Sequence, residues 1–226
     1  MEPSFWHERW SKDEIGFHQP APNEHLRNHA GELGVSPGQT VLVPLCGKSL
    51  DMLWLSEQGY RVCGIEISHR AVLDFFQDNG LEYEVVTSEE EDWYRSGRIE
   101  ICCTDFLALE PDALPQIDAV YDRAALVALP PEMRPPYVKQ LDSLIRPGVN
   151  TLVITLQYRQ AEMKGPPFSV TGEEVRQLFG PRYEIGQLHS ADCLAQEPRF
   201  REKGLSWLEE HVFLLSKSVI PGEISA

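Results

Sequence analysis

From Val35 onward the chain alternates short β-branched apolar runs with amphipathic stretches, and this alternation restricts its fold more than any other feature. Residues 40–44 read as a buried strand. Residues 49–58 follow with Leu50, Leu53 and Trp54 at helical spacing, and the pattern stops at Gly59. A second strand spans 60–67. Ser68 is suited to cap a helix over 69–79, which Gly80 closes. Residues 99–103 and 117–121 read as the third and fourth strands, the latter running into Asp122-Arg123. A helix over 132–145 precedes Pro147-Gly148 and a fifth strand at 151–158. Strands separated by helices in this way imply βαβ units with right-handed crossovers. The expected fold is α/β and Rossmann-like, a mostly parallel sheet with helices on both faces.

The tail departs from this pattern. Residues 182–189 and 211–217 read as strands with little helical pattern between them, which suits a closing antiparallel pair. Residues 82–98 are acidic and irregular and read as an insertion before the third strand. No internal repeat or linker interrupts the chain. One domain over 1–226 is expected, with 1–34 as an N-terminal segment and 35–226 as the Rossmann-like core.

Composition narrows the function. With 226 residues and 42% hydrophobic content, the chain can bury one full-sized core. Its 20 Lys and Arg face 35 Asp and Glu, giving a net charge of −15 and a pI near 4.8. Nucleic-acid binding depends on basic side chains neutralising phosphates, so no nucleic-acid partner is expected. The acidity favours a soluble monomer. Cys46, Cys63, Cys102, Cys103 and Cys193 are odd in number and contain no C-x-x-C. Reduced, buried thiols in the cytoplasm fit them better than a zinc site or a disulfide framework. Residues 1–10 lack a basic-then-apolar leader, and no apolar run approaches the roughly 20 residues of a membrane span. Neither a signal peptide nor a membrane partner is expected. His7, His18, His25 and His29 have irregular spacing without a matching Cys or acid cluster, and they read as surface histidines, with no metal assigned.

In open α/β sheets, ligands bind at the carboxyl ends of the strands. The first strand-to-helix turn is Pro44-Leu45-Cys46-Gly47-Lys48. A dinucleotide site wants three glycines there for close approach to a pyrophosphate, and this turn offers one, Gly47. A nucleoside with an amino-acid tail needs only a single close backbone approach. The second strand ends in Gly64-Ile65-Glu66-Ile67-Ser68, which places a carboxylate where this architecture binds ribose hydroxyls. A lone glycine also fits an ordinary turn, and an acid after a strand also fits a solvated surface.

These residues resemble the thiopurine S-methyltransferase family, and the likeness runs along nearly the whole chain. It is carried by Phe5-Trp6-His7-Glu8-Arg9-Trp10, Gly16-Phe17-His18-Gln19, the Pro44–Lys48 turn, the 64–68 run, Tyr121-Asp122-Arg123-Ala124-Ala125-Leu126-Val127-Ala128 and Gly165-Pro166-Pro167-Phe168. The resemblance implies a class I methyltransferase fold with a seven-stranded sheet, one antiparallel strand near the C-terminus, and an N-terminal lid helix, with 1–34 as the lid segment. It also implies S-adenosylmethionine as cofactor and S-adenosylhomocysteine as product. Trp10, Leu45, Glu66 and Arg123 stand at family cofactor positions, with Gly47, Ile67 and Phe106 lining the same pocket. In this reading Leu45 and Gly47 bring main chain beside the methionine tail, Glu66 takes the ribose hydroxyls, and Ile67 and Phe106 sandwich the adenine. Phe17 extends the Trp10 aromatic wall toward the substrate, and Arg199 stands at a substrate-side position.

The implied activity is transfer of a methyl group to the sulfur of an aromatic or heterocyclic thiol, a small-molecule partner; selenium and tellurium compounds share the same soft-nucleophile chemistry. Such an acceptor attacks largely as thiolate, so no catalytic residue is assigned. Two other classes remain open on the residues alone. An NAD-dependent oxidoreductase would need a glycine-richer first turn, and a non-catalytic S-adenosylmethionine-binding protein would bind the cofactor without turnover.

Overall fold

The computed structural model describes residues 3–87 and 91–219. Residues 1–2 of the expected lid segment and 88–90 of the expected insertion lie outside them. The strands are β1 (Thr40–Pro44), β2 (Arg61–Glu66), β3 (Glu84–Thr87), β4 (Asp92–Ser96), β5 (Ile99–Cys103), β6 (Ala119–Arg123), β7 (Asn150–Gln157), β8 (Tyr183–Asp192) and β9 (Glu209–Lys217). The α-helices are α1 (Pro3–Ser11), α2 (Glu24–His29), α3 (Asp51–Glu57), α4 (His69–Asp78), α5 (Arg134–Leu144), α6 (Gly172–Phe179) and α7 (Pro198–Glu202). Hydrogen bonding orders the strands β3-β4-β5-β2-β1-β6-β7-β9-β8. β1 pairs in parallel with β2 and β6, and β2 in parallel with β5. β9 runs antiparallel to both β7 and β8, which is the closing pair expected of the tail.

The sheet has nine strands among the described residues, not seven. The two additional strands, β3 and β4, form an antiparallel hairpin within the stretch that reads as an irregular insertion. The hairpin escapes a sequence reading because its period-two signal is broken. All four residues of β3 are exposed, and β4 turns the consecutive aromatics Trp93 and Tyr94 inward. A half-buried strand announces itself by alternation, and neither strand alternates.

The chain packs as two compact units, Met1–Tyr121 and Asp122–Ala226. In the first, β1 is buried along its whole length, as its unbroken apolar run requires. Ser68 caps α4 by accepting from the Ala71 N–H, and the helix buries Ala71, Val72, Phe75 and Phe76 on one face. The turn after β1 lies close on β2. A Cβ at Gly64 would stand 2.9 Å from Cys46 Sγ and 3.1 Å from Met52 Sδ, so only glycine lets the turn settle there. In the second unit, buried Lys217 donates to the Asp142 and Ile145 carbonyls at 2.7 and 2.6 Å, tying β9 to the end of α5. Tyr158, Phe200, Leu205 and Leu208 form a separate apolar cluster there.

Candidate cofactor and acceptor site

The site grows from the first β-turn-α unit. Leu45 and Gly47 both adopt left-handed backbone, with φ of +46° and +53°. That conformation costs a non-glycine residue about 1–2 kcal/mol, so Leu45 is held there by its surroundings. The Cys46 N–H donates to the Ile65 carbonyl at 2.9 Å, extending the β1–β2 pairing into the turn. Gly47 then lies directly under two aromatic rings. A Cβ at position 47 would come within 3.1 Å of Trp10 Cζ2 and 3.8 Å of Phe17 Cε2.

Those rings come from the N-terminal segment. Trp6 and Trp10, four residues apart, do lie on a helix, and both meet the Phe17 ring edge-on, with centroids 6.2 and 5.6 Å apart. Trp10 is buried and Phe17 half-buried. Asp51 anchors the same segment from below. Its buried carboxylate accepts from the Asn23 N–H at 2.7 Å and from the Tyr121 hydroxyl at 3.0 Å.

Glu66 closes the turn from the other side. Its Oε2 accepts from the Gly47 N–H and its Oε1 from the Ser68 N–H, both at 2.8 Å. The carboxylate is 6% exposed, and burial raises its pKa against the opposing pull of the Ser68, Gly47 and Ile67 N–H groups and of nearby His7. A carboxylate offers about four lone-pair sites, so two main-chain donors leave capacity for two more. His7 reaches the half-buried Ile67 through an Nε2 contact to its carbonyl at 3.2 Å. Phe106 is buried in the short 3₁₀ turn after β5, two residues beyond Thr104, whose N–H donates to the Glu66 carbonyl at 3.0 Å. The preceding Asp105 caps that turn through the Leu107 N–H.

The structure thus gathers Trp10, Phe17, Gly47 and Glu66 in one unit, with Leu45 and Ile67 adjoining them in the chain. Arg123 and Arg199 belong to the second unit. Arg123 ends β6, half-buried, just before Ala124 at φ +64°. Arg199 lies on α7, with its Nε 3.0 Å from Glu197 Oε2 and its guanidinium 4.7 Å from the Phe200 ring centroid. In Gly165-Pro166-Pro167-Phe168, the Phe168 N–H donates to the Val127 carbonyl and the Pro167 carbonyl accepts from the Tyr158 hydroxyl at 2.7 Å. Spacing alone does not bring Asp51 or His7 to this turn, because their partners lie 28 to 70 residues away in sequence.

Comparison with solved structures confirms the architecture. The 1,6-didemethyltoxoflavin-N1-methyltransferase of Burkholderia thailandensis, solved with bound 1,6-didemethyltoxoflavin and S-adenosylhomocysteine, matches with a TM-score of 0.63 at 16% identity over 96% of this chain and 87% of that one. A methyltransferase from Methanosarcina mazei matches with a TM-score of 0.61 at 15% identity over 88% and 100%. The fold is that of the class I S-adenosylmethionine-dependent methyltransferases. The family model for thiopurine S-methyltransferase matches residues 1–218. The thiopurine S-methyltransferase of Nitrosospira multiformis is 47% identical over 95% of this chain and 98% of its own, and that of Pseudomonas putida is 45% identical over 96% and 100%. The chain belongs to the thiopurine S-methyltransferase family and is an S-adenosylmethionine-dependent methyltransferase.

Proposed function

We propose that this enzyme methylates the sulfur of small aromatic or heterocyclic thiols, and that the turn built by Trp10, Leu45, Gly47, Glu66 and Ile67, together with Phe106, holds S-adenosylmethionine. The observation that carries the reading is the Glu66 carboxylate, fixed by two main-chain donors with acceptor capacity left over at the end of β2. A ribose diol supplies two hydroxyl donors of matching number. Gly47 makes room for the Trp10 indole, which packs on the turn where a Cβ would stand. An indole there would favour a sulfonium by cation–π attraction of roughly 0.5–2 kcal/mol. When bound, the cofactor supplies an activated methyl group.

The chain's own work is therefore alignment and exclusion of water, which can contribute roughly 7–11 kcal/mol at its upper limit. Glu66 orients the ribose, Ile67 and Phe106 cover the adenine, and the Trp6–Trp10–Phe17 aromatic wall of the N-terminal lid segment keeps water from the reacting atoms. We assign Arg123 to the cofactor and Arg199, with Phe17, to the acceptor, on their family positions. Proton transfer has no dedicated group in this account, because an aromatic thiol arrives largely ionised. Selenium and tellurium compounds enter as further acceptors on the same chemistry. The five free thiols, three of them buried, support a reducing cytoplasmic setting, and the acidity supports a monomer acting as one catalytic domain.

The test is turnover of 6-mercaptopurine with methyl-labelled S-adenosylmethionine. Label on sulfur is the expected result. Saturable cofactor binding with no methylated product from aromatic thiols, selenite or tellurite would overturn the acceptor assignment and leave a binding role.

A further inference from the structure

Two residues beside the cofactor turn have no part in the proposed chemistry: Gln19, which ends the Gly16-Phe17-His18-Gln19 run, and Asp51, the first residue of α3. Hydrogen bonds join them through Asn23, the residue that caps α2. Asp51 Oδ1 accepts from the Asn23 main-chain N–H at 2.7 Å. The Asn23 side chain then reaches both ways along the chain. Its Oδ1 accepts from the His25 N–H at 2.9 Å, which starts α2, and its Nδ2 donates to Gln19 Oε1 at 3.2 Å.

These bonds close a ring on the turn. Gln19 lies two residues beyond Phe17, the Phe17 ring meets Trp10 edge-on at 5.6 Å, and Trp10 packs on Gly47, four residues before Asp51. One side of the ring is rigid. Asp51 is 1% exposed, and its second oxygen accepts from the hydroxyl of Tyr121, a buried residue of β6. The other side needs holding, because residues 12–22 contain neither helix nor strand. Such a segment takes its position from the points at which it is tied. The tie at Asn23 is the strong one: it is buried, and a hydrogen bond to a carboxylate is roughly twice as strong as a neutral one.

We propose that Asp51 is a positioning residue of the cofactor site: by holding Asn23, and through it Gln19, it sets where Phe17 and Trp10 lie over the Gly47 turn. The inference rests on the reading that this turn binds S-adenosylmethionine. Asp51 acts through Asn23 and not on the cofactor itself. Without its carboxylate the buried Asn23 N–H loses its acceptor, and a buried donor left unpaired is costly enough to draw the segment toward water. The two rings would then leave the turn that they cover.

The test is calorimetric titration of S-adenosylmethionine into full-length variants shown to be folded by circular dichroism. Asp51→Ala should weaken binding roughly five- to ten-fold. Asp51→Asn keeps an oxygen for Asn23, and the Tyr121 hydroxyl can turn to accept from the new amide, so affinity should stay within about two-fold of the wild type. Gln19→Leu cuts the ring at a half-buried position and should weaken binding about three-fold; it carries the test if Asp51→Ala does not fold. The deciding readout is coupling, which a merely structural role would not produce. In a Phe17→Ala background, neither Asp51→Ala nor Gln19→Leu should cost more than about a further two-fold. Losses that persist undiminished in that background would overturn the proposal. So would wild-type affinity in Asp51→Ala or in Gln19→Leu, or an equal loss in Asp51→Asn and Asp51→Ala. Glu66→Ala measured alongside separates the two failures. If it loses affinity and Asp51→Ala does not, only the positioning role falls; if it keeps affinity, the reading of the turn falls and the proposal with it.

Discussion

Two buried carboxylates, Glu66 ending β2 in the first unit and Asp122 within the last two residues of β6 in the second, show how the same group at similar strand positions serves different ends. Asp122 is fully buried; it accepts from the Leu126 N–H at 3.1 Å and from the Tyr137 hydroxyl at 2.7 Å. Glu66 accepts only main-chain donors and keeps 6% of its surface. Burial raises both pKa values, that of Asp122 to about 6. The difference lies in access: Asp122 fastens a loop, whereas Glu66 shapes a turn and retains lone pairs that a ligand can use. Charge divides along the same line. Residues 1–121 hold 8 of the 20 basic and 22 of the 35 acidic residues, a net of −14, while residues 122–226 hold 12 and 13, a net of −1.

The largest effect should come from the aromatic wall over the turn. Trp10→Ala removes a buried indole packed on Gly47 and Phe17 and should cost about 3–5 kcal/mol in urea unfolding, with cofactor affinity falling too. A loss below about 1 kcal/mol would mean that α1 is not part of the packed core.

Next comes Asp122. Its folded-state pKa lies above its ordinary value of 3.8, so between pH 4 and pH 6 the folded protein holds a proton that the unfolded chain has released. Stability should therefore fall as pH rises through that window, by about 3 kcal/mol, and level off above it. Asp122→Asn keeps an acceptor for Leu126, and the Tyr137 hydroxyl can turn to accept from the new amide. The variant should lack this fall, as paired urea titrations from pH 4 to pH 7 would show. Glu66 adds a decline of the same sign, and ionisation of Glu66 has a further consequence that Asp122 lacks. Cofactor affinity should weaken with acidification from a pH above the ordinary carboxylate range, and Glu66→Gln should flatten that dependence.

A smaller effect is expected at Gly47. Gly47→Ala places a Cβ 3.1 Å from the Trp10 ring on left-handed backbone and should cost about 1–2 kcal/mol. His7→Ala should be smallest. It removes one exposed contact to the Ile67 carbonyl, worth about 0.5 kcal/mol, and should change cofactor affinity less than about three-fold.

Much of this was legible in the residues because local signals coincide with global ones. β1 falls where its unbroken apolar run places it, β5 falls on the expected 99–103, and Ser68 caps α4 as its side chain suggests. The βαβ alternation gave the parallel core, and the spacing set Glu66 at the end of the second strand, where β2 ends. What stayed hidden depends on partners distant in sequence. Asp51 reads as an ordinary first-turn acid of α3, yet its value comes from Asn23 and Tyr121. The β3–β4 hairpin has no alternation to betray it, and α7 is too short for a clear period, whereas α6 carries a start signal in Thr171, which caps it through the Glu174 N–H. The proposed roles of Arg123 and Arg199 come from the family resemblance alone, and no spacing argument reaches them.

Calorimetric titration of S-adenosylmethionine into the wild type, Glu66→Ala and Asp122→Asn compares the two strand-tip acids directly. Losing a charged acceptor to the ribose should weaken binding by Glu66→Ala roughly ten- to hundred-fold, in protein shown to be folded by circular dichroism, while Asp122→Asn binds as the wild type does. Unchanged affinity in Glu66→Ala would contradict the account, because the nucleoside would then be held somewhere other than the turn that Gly47 and Glu66 build.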